Sequence, residues 1–219
     1  MLDPQALRSQ TSTRLHDAGF PDVPGHLPIV WEADEGYSVR PLDEIVLRLA
    51  GLDVGVAVSF GMPRDLAQRW VNENGVESAL SDQERLLLSG DERVNVDAKQ
   101  AEVEAIWGLL WVVSLGRSLD PAEYCPDDLV RRVPDLKASE SLTSWRARMT
   151  PTLRAADEVM AELDLHYCMT WCLAEANLKG QRPPGRIQQS AIWQRRRALE
   201  FVLDSSLAHA DWDHIDLST

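Results

Sequence analysis

Glu104-Ala105-Ile106-Trp107-Gly108-Leu109-Leu110-Trp111 is the stretch whose reading decides the fold. At about 100° per residue, Ala101, Ala105, Leu109 and Val112 form one apolar stripe and Trp107, Trp111 and Leu115 a second, roughly 120° away. A helix apolar on two faces is a central one, and the spacing predicts it over Asp97 to Gly116. Large rings repeated on a helix indicate a built core, and the chain carries eight tryptophans. Trp107, Trp111, Trp171 and Trp212 are the candidates for a core or for the wall of a cleft.

The same periodicity extends outward in both directions. Asp3-Pro4 caps a helix that Gly19 ends. Asp43 to Ala57 and Pro63 to Asn74 give two more, and Ser81-Asp82-Gln83-Glu84 has the form of a capping box opening a short helix to Ser89. Thr150-Pro151 opens a long helix to about Leu178 with apolar residues on both sides. Lys179 to Arg186 is a loop, because Gly180, Pro183, Pro184 and Gly185 cannot continue a helix. The last helix runs from about Ile187 to Ala208. Between Pro21 and Pro41 the density of Pro and Gly forbids a long helix, and Ile29-Val30-Trp31 with Tyr37-Ser38-Val39 allows at most a small β-hairpin near residues 28–40. The expectation is a mainly α, single-domain helical bundle over 1–219, with two or three long buried helices.

The chain has 219 residues, 44% of them hydrophobic, which suffices for a sizeable core. It opens without a basic region followed by an apolar run and lacks the roughly 18 unbroken apolar residues of a membrane span, so a cytoplasmic protein is expected. The net charge of −13 is uneven. Residues 131–200 hold 12 Lys/Arg against 8 Asp/Glu, whereas the first 130 hold 10 against 23. An acidic front half disfavours nucleic acid, which needs a dense basic surface, and suits a basic protein partner.

Chemistry-bearing residues are few. On the last helix Arg195 projects within about 40° of Leu199 on the apolar stripe and needs a partner. Glu104 shares the face of Trp107 and Trp111, and Asp164 lies between two apolar faces of its helix. Arg195 is therefore expected in an internal network with Asp164 or Glu104, either as an ion pair fixing helix register or as the polar floor of a cleft. Arg196 and Arg197 turn progressively toward solvent. Cys168 and Cys172 share a helix face, but His166 points elsewhere and no fourth ligand is in reach, so core thiols and no metal are expected. Asp211-Trp212-Asp213-His214 reads as a docked tail. The basic run from Lys179 to Arg197 is a solvated surface or a phosphate contact. No nucleotide-binding, zinc-hydrolase or serine-hydrolase motif is present, and no cofactor is expected.

Several short motifs match the pattern of a bacterial family described as domain of unknown function 4272. They are Arg40-Pro41-Leu42-Asp43-Glu44-Ile45 with Arg48, Leu80-Ser81 with Glu84, Glu104 through Gly116, Leu163 to Trp171, Arg195 to Leu199, and Trp212-Asp213 with Thr219. Their order and spacing resemble the family along nearly the whole chain, with departures at Gln194 and at Glu200-Phe201. The resemblance implies a fold and assigns no catalytic residue. Two functions follow as expectations: a helical protein–protein interaction module, acting as an acidic adaptor or neutraliser, or an enzyme or small-ligand binder with a polar cleft around Glu104, Asp164 and Arg195. An open pocket lined by those side chains favours the second; a filled core there removes it.

Overall fold

A computed structural model describes residues 3–30, 37–186, 189–204 and 206–218. Nine α-helices and no strand are present among them: α1 (Pro4–Asp17), α2 (Leu42–Ser59), α3 (Arg64–Asn74), α4 (Asp82–Ser89), α5 (Val96–Gln100), α6 (Val103–Val112), α7 (Leu142–Met149), α8 (Ala156–Leu178) and α9 (Gln189–Leu203). Contacts run in a row from α1 through α8, α9 and α6 to α2, and α3, α4 and α5 pack on the far side of α2. Among the described residues no helix is long and apolar enough to cross a membrane.

The caps follow from the sequence. The Asp3 carboxylate accepts from Ala6 N–H at 2.7 Å and Pro4 opens α1. Ser81 and Glu84 form both halves of the capping box on α4. α2 is buried along most of its length, and two glycines on it let neighbours approach. A Cβ on Gly51 would meet the Ala79 carbonyl at 2.9 Å, and one on Gly55 would meet Glu84 at 3.0 Å.

Two long helices differ from the sequence expectation. The helix expected over Asp97 to Gly116 is two helices, α5 and α6, joined by a turn at Ala101-Glu102. There the ladder tightens to three-residue spacing, with Glu102 N–H donating to Lys99 O and Glu104 N–H to Ala101 O. The turn accompanies a buried ion cluster, in which Lys99 Nζ reaches both Glu102 (3.0 Å) and Asp213 (3.2 Å). α6 then stops at Val112, and Ser114 takes a left-handed φ of 61°.

The second difference is α8, which starts at Ala156 rather than at Thr150. Thr150 instead ends α7 with a φ of 47°, a short helix absent from the sequence reading. The segment after it crosses the open end of α6. Thr152 N–H and Arg154 N–H donate to Val113 O and Val112 O, and the Arg154 guanidinium donates to Trp111 O and Gly116 O. These donors satisfy the orphan carbonyls that a buried helix end would otherwise leave bare. α9 ends at Leu203, five residues short of Ala208, and its expected start at Ile187 lies outside the described residues. Of the possible hairpin, Ile29, Val30 and Tyr37 to Val39 are irregular, and residues 31–36 lie outside the described residues.

Packing centres on α6. Every residue from Glu104 to Val112 is buried. Trp111 lies beneath the Arg154 guanidinium, 4.5 Å from its ring centroid, and Trp212 is fully buried against Phe201. Trp171 is only half-buried, in a second cluster of α1, α8 and α9 that includes Leu15, Phe20, Leu165 and Ile192. Cys168 and Cys172 are buried in that cluster as free thiols.

α6 and α9 approach closely at Gly108, where a Cβ would meet the Ala198 methyl at 2.9 Å. At an exposed helical site Gly→Ala stabilises by about 1 kcal/mol. At Gly108 the sign reverses: Gly108→Ala is expected to destabilise by about 1–3 kcal/mol through overpacking. Urea unfolding measures it, and a stabilised variant would show that the two helices have room to part.

Candidate functional site

The structure separates the three side chains singled out in the sequence. Arg195 and Glu104 meet, with Arg195 Nε and Nη2 at 2.9 and 2.8 Å from Glu104 Oε2. The other guanidinium donors go to loop carbonyls, Nη1 to Asp120 O (2.9 Å) and Nη2 to Glu123 O (2.6 Å). Glu104 Oε1 accepts from Cys125 N–H at 2.8 Å. The pair therefore fastens the 120–125 loop to two core helices. Asp164 is elsewhere: it is fully buried between Arg8, whose Nη2 lies at 2.9 Å, and the Thr11 hydroxyl at 2.6 Å. It ties α1 to α8.

The expectation that Arg196 turns to solvent is overturned. Its side chain is buried, stacks on Tyr167 with 4.9 Å to the ring centroid, and donates to Glu200 and to the carbonyls of Leu217 and Ser218. An arginine stem covers apolar surface while its planar head collects several acceptors, which periodicity alone does not register. Arg197 is the partly exposed member of the trio.

The most deeply buried ion pair among the described residues joins Arg48 and Glu84, both of which carry the family resemblance. Arg48 and Glu84 are each fully buried and bonded to one another, and Arg48 also donates to Ala79 O at 2.6 Å. Its guanidinium lies 5.1 Å from the Trp212 ring centroid. Nearby, burial opposes the charge on Lys99, but Glu102, Glu84 and Asp213 outweigh it and raise its pKa. On α8, burial and the Arg195 charge push His166 down to about 3, so it is a neutral imidazole bonded to Glu162 O. Burial also pushes Cys125 and Cys168 up to about 12 and Cys172 to about 11, which removes thiolate chemistry near neutrality. Among the described residues no three His, Cys, Asp or Glu side chains are grouped to hold a metal ion.

Among the described residues, hollows open to the surface in two places that bear on function. One, of about 480 Å³, is polar and is lined by Trp107, Arg195, Asp120 and Glu123. Arg195 faces it with most of its donors engaged, since each of its three nitrogens already makes a bond within the protein. The other is a groove of about 1130 Å³ between the C-terminal half of α2 and the 129–140 segment. Val56, Ala57, Ile106 and Leu129 line it, and Phe60 and Val130 stand at it with 64% and 69% of their surface uncovered.

Asp53 is the unexpected member of this groove. It is 7% exposed, its Oδ2 is buried, and no described residue donates to that oxygen. Burial, helped by the nearby charge of Asp135, raises its pKa well above the ordinary carboxylate value. The sequence did contain the signal: Asp53 is the lone charge in the otherwise apolar run Leu49 to Ser59. Its position on the buried face of a helix asks for a partner as plainly as that of Arg195 does.

A family model described as Domain of unknown function (DUF4272) matches residues 7–215 of the chain. No curated protein and no solved structure matches it.

Two outcomes follow from this geometry. Arg195→Met and Arg196→Met should each destabilise by about 3 kcal/mol or more, because Glu104 or Glu200 loses its cation and loop carbonyls lose their donors, while Arg197→Met costs about 1 kcal/mol or less. Urea titration of the three variants checks the order. Asp53→Asn tests the groove carboxyl by pH. An acid whose folded pKa is raised contributes most below its unfolded pKa of 3.8, and that contribution is lost as pH rises toward the folded value. The variant should therefore match the parent near pH 4 and exceed it in stability by about 1 kcal/mol or more at pH 8. Parallel melting curves at both pH values would expose an Asp53 that ionises freely.

Proposed function

We propose, on the premise that this chain belongs to the DUF4272 family, that it is a helical protein–protein interaction module of the bacterial cytoplasm. Its contact surface is the groove between α2 and the 129–140 segment, which receives an apolar stretch of another protein. The observation that carries this reading is the groove itself. A volume of about 1130 Å³ exceeds the roughly 300–1,000 Å³ of most small-molecule pockets. Phe60 and Val130 remain largely uncovered beside it. Uncovered apolar side chains grouped at a concave site mark a place where another molecule sits.

Less favours a reacting centre around Glu104, Asp164 and Arg195. Asp164 is bonded to α1 rather than to Arg195. Glu104 and Arg195 are spent on each other and on the 120–125 loop. A net charge of −13 favours encounter with a basic partner.

The test is site-specific photo-cross-linking in the native cytosol. A benzophenone amino acid at Phe60 should yield a discrete cross-linked protein, and one at Leu178, which is exposed on another part of the surface, should not. Val130→Asp should reduce the Phe60 product by about tenfold while changing stability by no more than about 0.5 kcal/mol. Equal labelling from both positions, or a product indifferent to Val130→Asp, would overturn the assignment of the groove.

A further inference from the structure

The buried carboxylates of this chain obey a pattern with one exception. Glu84 is paired with Arg48, Glu102 with Lys99, Glu104 with Arg195, Glu162 with Arg14, and Asp164 with Arg8. Asp53 is the remaining buried acid among the described residues, and no ion pair to it is formed by them. Its place in the fold is what distinguishes it. The paired acids lie where helices or loops of the same chain meet, whereas Asp53 lies on α2 at the groove, beside Val56 and Ala57. Where the chain can supply a cation internally it does so; at the groove it leaves the position open.

We propose that Asp53 is the recognition site for a lysine side chain of the partner segment that occupies the groove, with the lysine's ammonium group supplying the missing counter-charge. The proposal rests on the groove being the contact surface and adds the chemistry of what enters it. A lysine suits the site better than an arginine. Its ammonium is a compact point charge on a slim four-carbon stem, able to follow an apolar wall to a single carboxylate, whereas a guanidinium needs a planar array of acceptors. Apolar neighbours of that lysine would cover Phe60 and Val130.

The other charged groups at the groove leave this pairing open. Arg148 is held by Glu140 at 2.8 Å, and Arg131 and Lys137 are exposed to solvent, where screening weakens their repulsion of an incoming cation. Asp135 adds a second negative charge felt at Asp53. In the empty groove burial favours the protonated carboxyl, so the lysine that docks as an ammonium ion displaces that proton to solvent and leaves a carboxylate–ammonium pair.

The experiment uses the full chain labelled with ¹⁵N and four probes: a blocked Leu-Lys-Leu tripeptide amide, the same peptide with norleucine for lysine, the same with arginine, and n-butylamine. The lysine peptide should shift the amide resonances of Asp53, Val56 and Ala57 and bind about tenfold more tightly than the norleucine peptide. Asp53→Asn should bring the two within about twofold while leaving the norleucine peptide unaffected. Equal binding of lysine and norleucine peptides, unchanged by Asp53→Asn, would overturn the lysine site and leave the groove as a purely apolar contact. Shifts at those three amides from none of the peptides would overturn the groove reading as well. Tighter binding of the arginine peptide, or of n-butylamine alone, would overturn the choice of lysine or of a protein as its source.

Discussion

α6 is buried from Glu104 to Val112, and the rest of the molecule is arranged to make that possible. A helix buried at nine of its ten residues must have its charge, its close contacts and its end dealt with by other elements. Its one charged side chain, Glu104, is met by Arg195. Its Gly108 admits Ala198, so the charge pair and the small-residue contact together fix where α9 lies along it. Its last carbonyls are covered by Arg154 and by the backbone of the segment leading into α8. A chain that lacked any of these would leave a polar group stranded in the centre.

Arginine is the device this protein repeats. Arg8 donates to the carbonyls of Leu27 and Pro28, Arg40 to those of Phe201 and Leu207, Arg132 to Leu115 O, and Arg195 to two carbonyls of the 120–125 loop. Each anchors an irregular segment to the helical body through charge-assisted bonds. The consequence for the surface is electrostatic. Arg40, Arg48, Arg195, Arg196 and Lys99 are buried, and so are Asp53, Glu84, Glu102, Glu104, Glu162 and Asp164, so burial withdraws both signs of charge and leaves the surface about as acidic as the composition. The basic run before Leu199, which reads in the sequence as solvated, is in part an internal framework.

How much of this the sequence displayed depended on whether the cause was local. Helix starts at Pro4 and Asp82 and stops before Gly75 and Gly90 follow from residues within one turn, and they were legible. The break at Ala101-Glu102 and the delayed start of α8 were not, because both depend on partners far along the chain: Asp213 in one case, the open end of α6 in the other. Glu104 and Arg195 could be matched because each was a charge on an apolar stripe. Asp164, the alternative partner for Arg195, is bonded instead to Arg8, which lies on a helix whose polar face gives no sign of a buried contact. Asp53 was overlooked despite an equally plain signal.

The 209–217 segment has a consequence for the order of synthesis. Trp212 fills the core beside Phe201, Asp213 bonds Lys99 and Gln83, and the Leu217 carbonyl accepts from Arg196. A nascent chain that has emerged as far as α8 already displays α2 and α6 but lacks both Arg195 for Glu104 and the indole over Arg48. Such an intermediate exposes apolar surface and an unmatched central carboxylate until α9 and the 209–217 segment leave the ribosome. The fold therefore closes only when the 209–217 segment docks, and a chain lacking that segment would remain open to chaperones and proteases.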